Sequence, residues 1–161
     1  MTEEVRDYLR SHYEAVGDVR YHARLHYLHA AFYRRIRMVM ATISLMSGTA
    51  SFASVVGNYP LIASVAGVVI AVIAVLDAVS GLPDKVFSHQ SLYKRFTELA
   101  GRAAKLEMDA IDAESAAIEA DETGEIESLR LRAYNDSVLS AGRPDYVVPV
   151  SFLAKLLSLI V

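Results

Sequence analysis

The chain has 161 residues, enough for one domain, and its 53% hydrophobic content with only 4 prolines points to an all-α fold. It holds no cysteine, which excludes a disulfide framework, thiol chemistry and cysteine metal sites, and a net charge of -3 makes no case for nucleic acid as a partner. The charged opening MTEEVRDYLRSHYEAV lacks the short apolar core of a cleavable signal, so targeting is expected to reside further along.

Residues 1–37 form the first predicted region, one long cytoplasmic helix from Val5 to Arg37 with Gly17-Asp18 as its weak point. Its stripe at alternating spacings of three and four is Tyr8, His12, Ala15, Val19, His22, His26, His29, Tyr33 and Ile36. A seam this polar is either poorly driven or built to respond. Histidine titrates near neutrality and a charged imidazole in a packed seam costs stability, so His22, His26 and His29, with His89 on the helix expected opposite, are candidate pH-responsive residues. His22 and His26 at i, i+4 could also ligate a metal, but the titrating or hydrogen-bonded seam is preferred and no metal residue is assigned.

Met38 to Leu76 contains no Asp, Glu, Lys, Arg or His across 39 residues. As one helix it would be roughly 58 Å long, about twice the hydrocarbon thickness of a bilayer, so it is expected to fold back on itself. Asn58-Tyr59-Pro60 marks the turn, because the proline disfavours helical geometry at Tyr59. Two membrane spans are predicted, 38–57 and 61–82. A hairpin buried in a soluble bundle could be equally apolar, but the rest of the chain is mostly charged amphipathic helix and could hardly sheathe it. Arg34, Arg35 and Arg37 before the first span, and Lys85, Lys94 and Arg95 after the second, place both termini in the cytoplasm.

Within the first span Ser44, Ser47, Ser51 and Ser54 share one face, which suits either close helix packing or the lining of a water-filled path. The second span carries Ala63, Gly67 and Ala71 at four-residue intervals, a face for another helix of the same chain or of a neighbour. Asp77 is the one ionisable residue inside a span. Such residues face a bundle interior or a polar path, and the hairpin would set it near Ser44 with Arg37 in reach; the alternative is an acid snorkelling to the headgroups.

Residues 84–122 are predicted as a second long cytoplasmic helix with a coiled-coil seam of Leu92, Phe96, Leu99, Ala103, Leu106, Ala110, Ala113 and Ala117. Antiparallel pairing with the first helix would set His26 near Phe96, His29 near Leu92 and Val19 near Ala103. The outer half is acidic throughout, with no basic residue from Glu107 to Glu127, so the region is expected to be electrically polarised. Residues 125–161 read as a short helix and an apolar tail.

No phosphate-binding glycine loop, nucleophile elbow or HExxH is present, so no catalytic or cofactor-binding residue is assigned and an enzyme is not expected. From about Tyr21 to Leu106 the sequence resembles the SLATT domain, the SMODS and SLOG associating two-transmembrane effector. The resemblance lies in the helix YHARLHYLHAAFYRRIR, the apolar hairpin with its tight turn, the acidic residue late in the second span, and HQSLYKRFTEL opening a long coil. It implies a prokaryotic effector that oligomerises in the inner membrane. Such an effector forms a pore or perturbs the bilayer when a separate nucleotide-signalling or other sensor detects phage. The residues alone support a two-span helical membrane protein with polar faces, for which the alternative role is a non-conducting anchor or scaffold recruiting a partner through its coil.

Overall fold

The computed structural model describes residues 10–122 and 124–150; the expected helix start at Val5 and most of the apolar tail lie outside them. Every regular element among the described residues is helical: α1 (His12–Val56), α2 (Pro60–Ser80), α3 (Leu82–Ala103), α4 (Met108–Glu119), α5 (Glu127–Ser140) and a single 3-10 turn (Pro144–Tyr146).

α1 runs without a break through Gly17-Asp18, where Ala15, Val16 and Val19 are buried on either side and anchor it. It ends as the sequence suggests. Asn58 takes the left-handed conformation at φ 60°, which lets Tyr59 N–H donate to the Ser54 carbonyl at 2.7 Å and Asn58 N–H to that of Val55 at 3.3 Å. These two bonds close the last carbonyls of the helix in a Schellman arrangement. Pro60, with its preset φ and no N–H to satisfy, then opens α2 at its first position.

α2 stops at Ser80, short of the expected Leu82, because Gly81 turns left-handed at φ 60°. The predicted continuous helix over 84–122 needs a larger correction. α3 ends at Ala103, residues 104–107 form a turn, and α4 begins at Met108. Lys105 N–H donates to the Arg102 carbonyl and Leu106 N–H to that of Ala103, while Glu107 is extended at ψ 153°.

Beyond the turn α4 folds back on α3: Arg102 near the end of α3 pairs with Glu114, and Arg95, farther back, pairs with Asp121 just past α4, as an antiparallel arrangement requires. The coiled-coil phase therefore lapses. Leu92, Phe96, Leu99 and Ala103 are buried as expected, but Ile111 and Ile118 join them in place of Ala110, Ala113 and Ala117. The same folding lays acidic residues on basic ones, so the expected separation of charge along a rod is not formed.

The described chain divides into two compact units. One is Ala31–Val86. The other comprises the residues before and after it, and its core joins Ala15, Val16, Val19 and Ala23 of α1 to the α3 and α4 residues just named. α5 adds a smaller cluster in which Leu129 and Ala133 are buried and Ala133 meets Leu25 and Leu28, with the Arg24–Asp136 ion pair at 2.7 Å on its edge. Asn135 then holds the segment after the 3-10 turn by a two-point clamp, Nδ2–H to the Val148 carbonyl at 2.8 Å and Val148 N–H to Oδ1 at 2.9 Å.

Candidate functional site

Three histidines of α1 and one of α3 meet inside the unit formed by the residues before Ala31 and after Val86. His26, His29 and His89 are fully buried. His22 and His26 stack on Phe96 with ring centroids 5.1 and 5.5 Å apart, so the expected His26–Phe96 register is met. His89 stacks on both His26 and His29, at 5.3 and 4.7 Å.

The hydrogen bonds fix most of the protons. His29 Nδ1 lies 2.9 Å from the Leu25 carbonyl and must donate to it, while Nε2 accepts the Ile126 N–H at 2.8 Å. Both nitrogens are thereby committed to the neutral ring. His26 Nε2 lies 3.0 Å from Glu122 Oε1 and donates to the carboxylate. Its Nδ1, 3.1 Å from Nδ1 of His89, is then an acceptor from that ring. Burial, with His29 and His22 adding like charge, pushes His26 down to about 4. Burial also lowers His29, although its bond to the Leu25 carbonyl and the nearby Glu122 oppose the shift.

Glu122 is the residue that sequence reasoning missed. Its Oε1 lies 3.3 Å from His22 Nδ1 as well as 3.0 Å from His26 Nε2, and Glu119 approaches His22 Nε2 at 3.7 Å. Nothing local marks Glu122, one acid in a run of nine from Glu107 to Glu127; only the fold-back after Ala103 brings it to α1.

In the unit Ala31–Val86, the C-terminal part of α1 and α2 face each other across a cleft of about 410 Å³. Arg34, Arg37, Ser44, Ile73 and Asp77 are among its lining residues. Ser44 and Asp77 thus share one cleft, as the sequence suggested. Arg34 and Arg37 stand at the same cleft, Arg35 is exposed, and among the described residues no cation forms an ion pair with Asp77.

The serine face turns inward: Ser44, Ser47 and Ser51 are half-buried and Ser54 is buried, its hydroxyl donating to the Ala50 carbonyl at 2.7 Å. On α2 the inward residues include Ala63, Ala66, Ile70, Ile73 and Asp77. Gly67 and Ala71 are exposed, and a Cβ built on Gly67 would meet nothing within 4 Å. Of the expected small-residue face, only Ala63 is used within the chain.

No family model matches the chain, and neither a curated protein nor a solved structure matches it.

Proposed function

We propose that the unit Ala31–Val86 inserts as a two-span helical hairpin into the inner (cytoplasmic) membrane, with both chain ends cytoplasmic. Copies assemble there into a homo-oligomer that forms a pore or perturbs the bilayer. One observation carries the membrane part. α1 and α2 are long and apolar enough to cross a membrane, yet only 6% of the apolar window in each is buried within the protein. The core helix of a soluble bundle would be mostly covered, whereas Leu45, Phe52, Val56, Leu61 and Val79 are each more than two-thirds exposed.

The effector part rests on the SLATT resemblance of residues 21–106, with a separate nucleotide-signalling sensor as the trigger. A polar path is supported by the cleft holding Asp77 and Ser44, since an ionisable group inside a span faces a polar route or a partner. Two spans cannot enclose a path alone, and the exposed Gly67–Ala71 face offers the contact for a second copy.

The test is ion leakage from vesicles reconstituted with the purified chain, run beside native mass spectrometry in mild detergent. Leakage that scales with an oligomeric species is expected. Inserted protein in vesicles that stay tight would leave the non-conducting anchor or scaffold as the function.

A further inference from the structure

We propose that His22, His26 and Glu122 form a binding site for a late first-row divalent cation, with zinc as its natural occupant. His22, His26 and Glu122 each offer one ligand atom, and these three atoms all lie within 4.8 Å of one another. Two of the three separations are 3.0 and 3.3 Å. A tetrahedral ion with bonds of about 2.1 Å holds its ligands about 3.4 Å apart, so these two separations are already close to what an ion requires.

The proton pattern gives a second and independent reason. Among the described residues, His22 Nδ1 is a buried side-chain nitrogen that no hydrogen bond satisfies. A buried polar atom left so carries a desolvation cost, and here it lies 3.3 Å from the same carboxylate oxygen that His26 uses. A cation satisfies all three donors at once.

The surroundings are those of a metal-binding histidine pair, whose outer nitrogens normally meet a carboxylate or another acceptor. His22 Nε2 faces Glu119 Oε1 at 3.7 Å, and His26 Nδ1 faces His89 Nδ1 at 3.1 Å. Coordination through Nε2 requires neutral His26 to carry its proton on Nδ1. The His26–His89 hydrogen bond therefore reverses direction when the ion binds, and the His89 proton moves to Nε2, with no net change in charge on either ring.

Two imidazoles with one carboxylate select zinc-class cations over magnesium or calcium, which prefer all-oxygen shells. His22 and Glu119 retain 24% and 45% side-chain exposure, so the ion enters from that edge and a water completes the fourth position. His26 and Glu122 are 96 residues apart in sequence. The ion is thus a staple, fixing the segment just past the folded-back α4 to α1.

The experiment uses the full chain in mild detergent, without an affinity tag and stripped with chelator, then titrated with zinc chloride or magnesium chloride. Calorimetry and thermal unfolding are the readouts. One zinc per chain, a raised Tm and no response to magnesium are expected. His22→Gln and Glu122→Gln, both mild enough to keep the helices, should each weaken binding by more than about 100-fold, since losing a ligand exceeds the cost of losing its outer partner. His12→Gln, whose Nε2 meets the Leu106 carbonyl away from the site, should bind zinc as the parent does. Absence of micromolar zinc binding, undiminished affinity in either ligand variant, or an equal loss in His12→Gln would overturn the site.

Discussion

His29 shows how two ordinary hydrogen bonds decide a protonation state. One nitrogen faces a carbonyl and the other an N–H, so charging the ring would turn the Ile126 N–H against a second donor. His26 is held neutral for a different reason, burial among His22, His29 and His89, with Glu122 at its edge. Because both folded values lie below the unfolded value of about 6.5, the unfolded chain takes up protons first as pH falls. Stability is therefore full above about pH 6.5 and is lost as pH drops towards the folded value. In chelator, His26 alone should cost about 1 kcal/mol between pH 7.5 and 5.5, with His29 acting in the same direction. Thermal unfolding at the two pH values measures this. A His26→Leu, His29→Leu variant should show a flatter profile from a lower starting stability. Asp77 poses a separate question, since a carboxylate in a span costs about 2.5 to 3.5 kcal/mol at the centre and less towards an interface. Asp77→Asn keeps the shape at the Ser44 cleft and removes the charge, so if the proposed oligomeric pore forms, the oligomer should persist while the cation preference of vesicle leakage changes.

At the scale of elements, the fold-back of α4 is directly testable. On a continuous 84–122 seam Ala113 would be buried and Ile111 would lie off the stripe. In the structure Ile111 is fully buried and Ala113 exposed. Ile111→Ala should therefore destabilise the chain by about 2 to 5 kcal/mol, as large-to-small changes in a core do, and Ala113→Ser should be close to neutral in the same thermal measurement. The α1 and α2 boundaries at Val56 and Pro60 could be read from the sequence because Asn58 and Pro60 act on their own backbone. The shared serine face followed from periodicity, and the His26–Phe96 contact from periodicity together with antiparallel pairing of the two helices. The break after Ala103 was not legible. Ala104, Lys105, Leu106 and Glu107 are all good helix formers, and the turn is imposed by what it permits, burial of Ile111 and Ile118 and pairing of Arg95 and Arg102 with acids. Glu122 stayed hidden for the same reason, since its role depends on a tertiary turn without a local mark. On α2, the open space at Gly67 makes Gly67→Leu harmless to the chain's own packing. If copies meet on that face, the variant should shift native mass spectra towards monomer at unchanged helicity.

For the whole molecule the deciding quantity is where the charges lie relative to the uncovered apolar surface. Arg34, Arg35 and Arg37 precede that surface, Lys85, Lys94 and Arg95 follow it, and the turn Gly57-Asn58-Tyr59-Pro60 between the two helices carries no charge. Basic residues near span ends are retained on the cytoplasmic side, and acids count for little in this rule, so the pairing of Arg95 with Asp121 does not weaken its vote. A hairpin under these constraints has one favourable orientation, with the short turn crossing and the charged flanks remaining behind. Reporters fused at either end of the chain should both read cytoplasmic, and a small tag inserted at Asn58 should be labelled from the opposite side. Replacing Arg34, Arg35 and Arg37 together by Gln should give mixed labelling at Asn58, because only the second flank then holds the orientation. A tag at Asn58 reached only from the cytoplasm in the parent chain would mean that the apolar helices do not cross the bilayer, and the exposed face of Leu45, Phe52 and Val79 would have to be covered by protein instead.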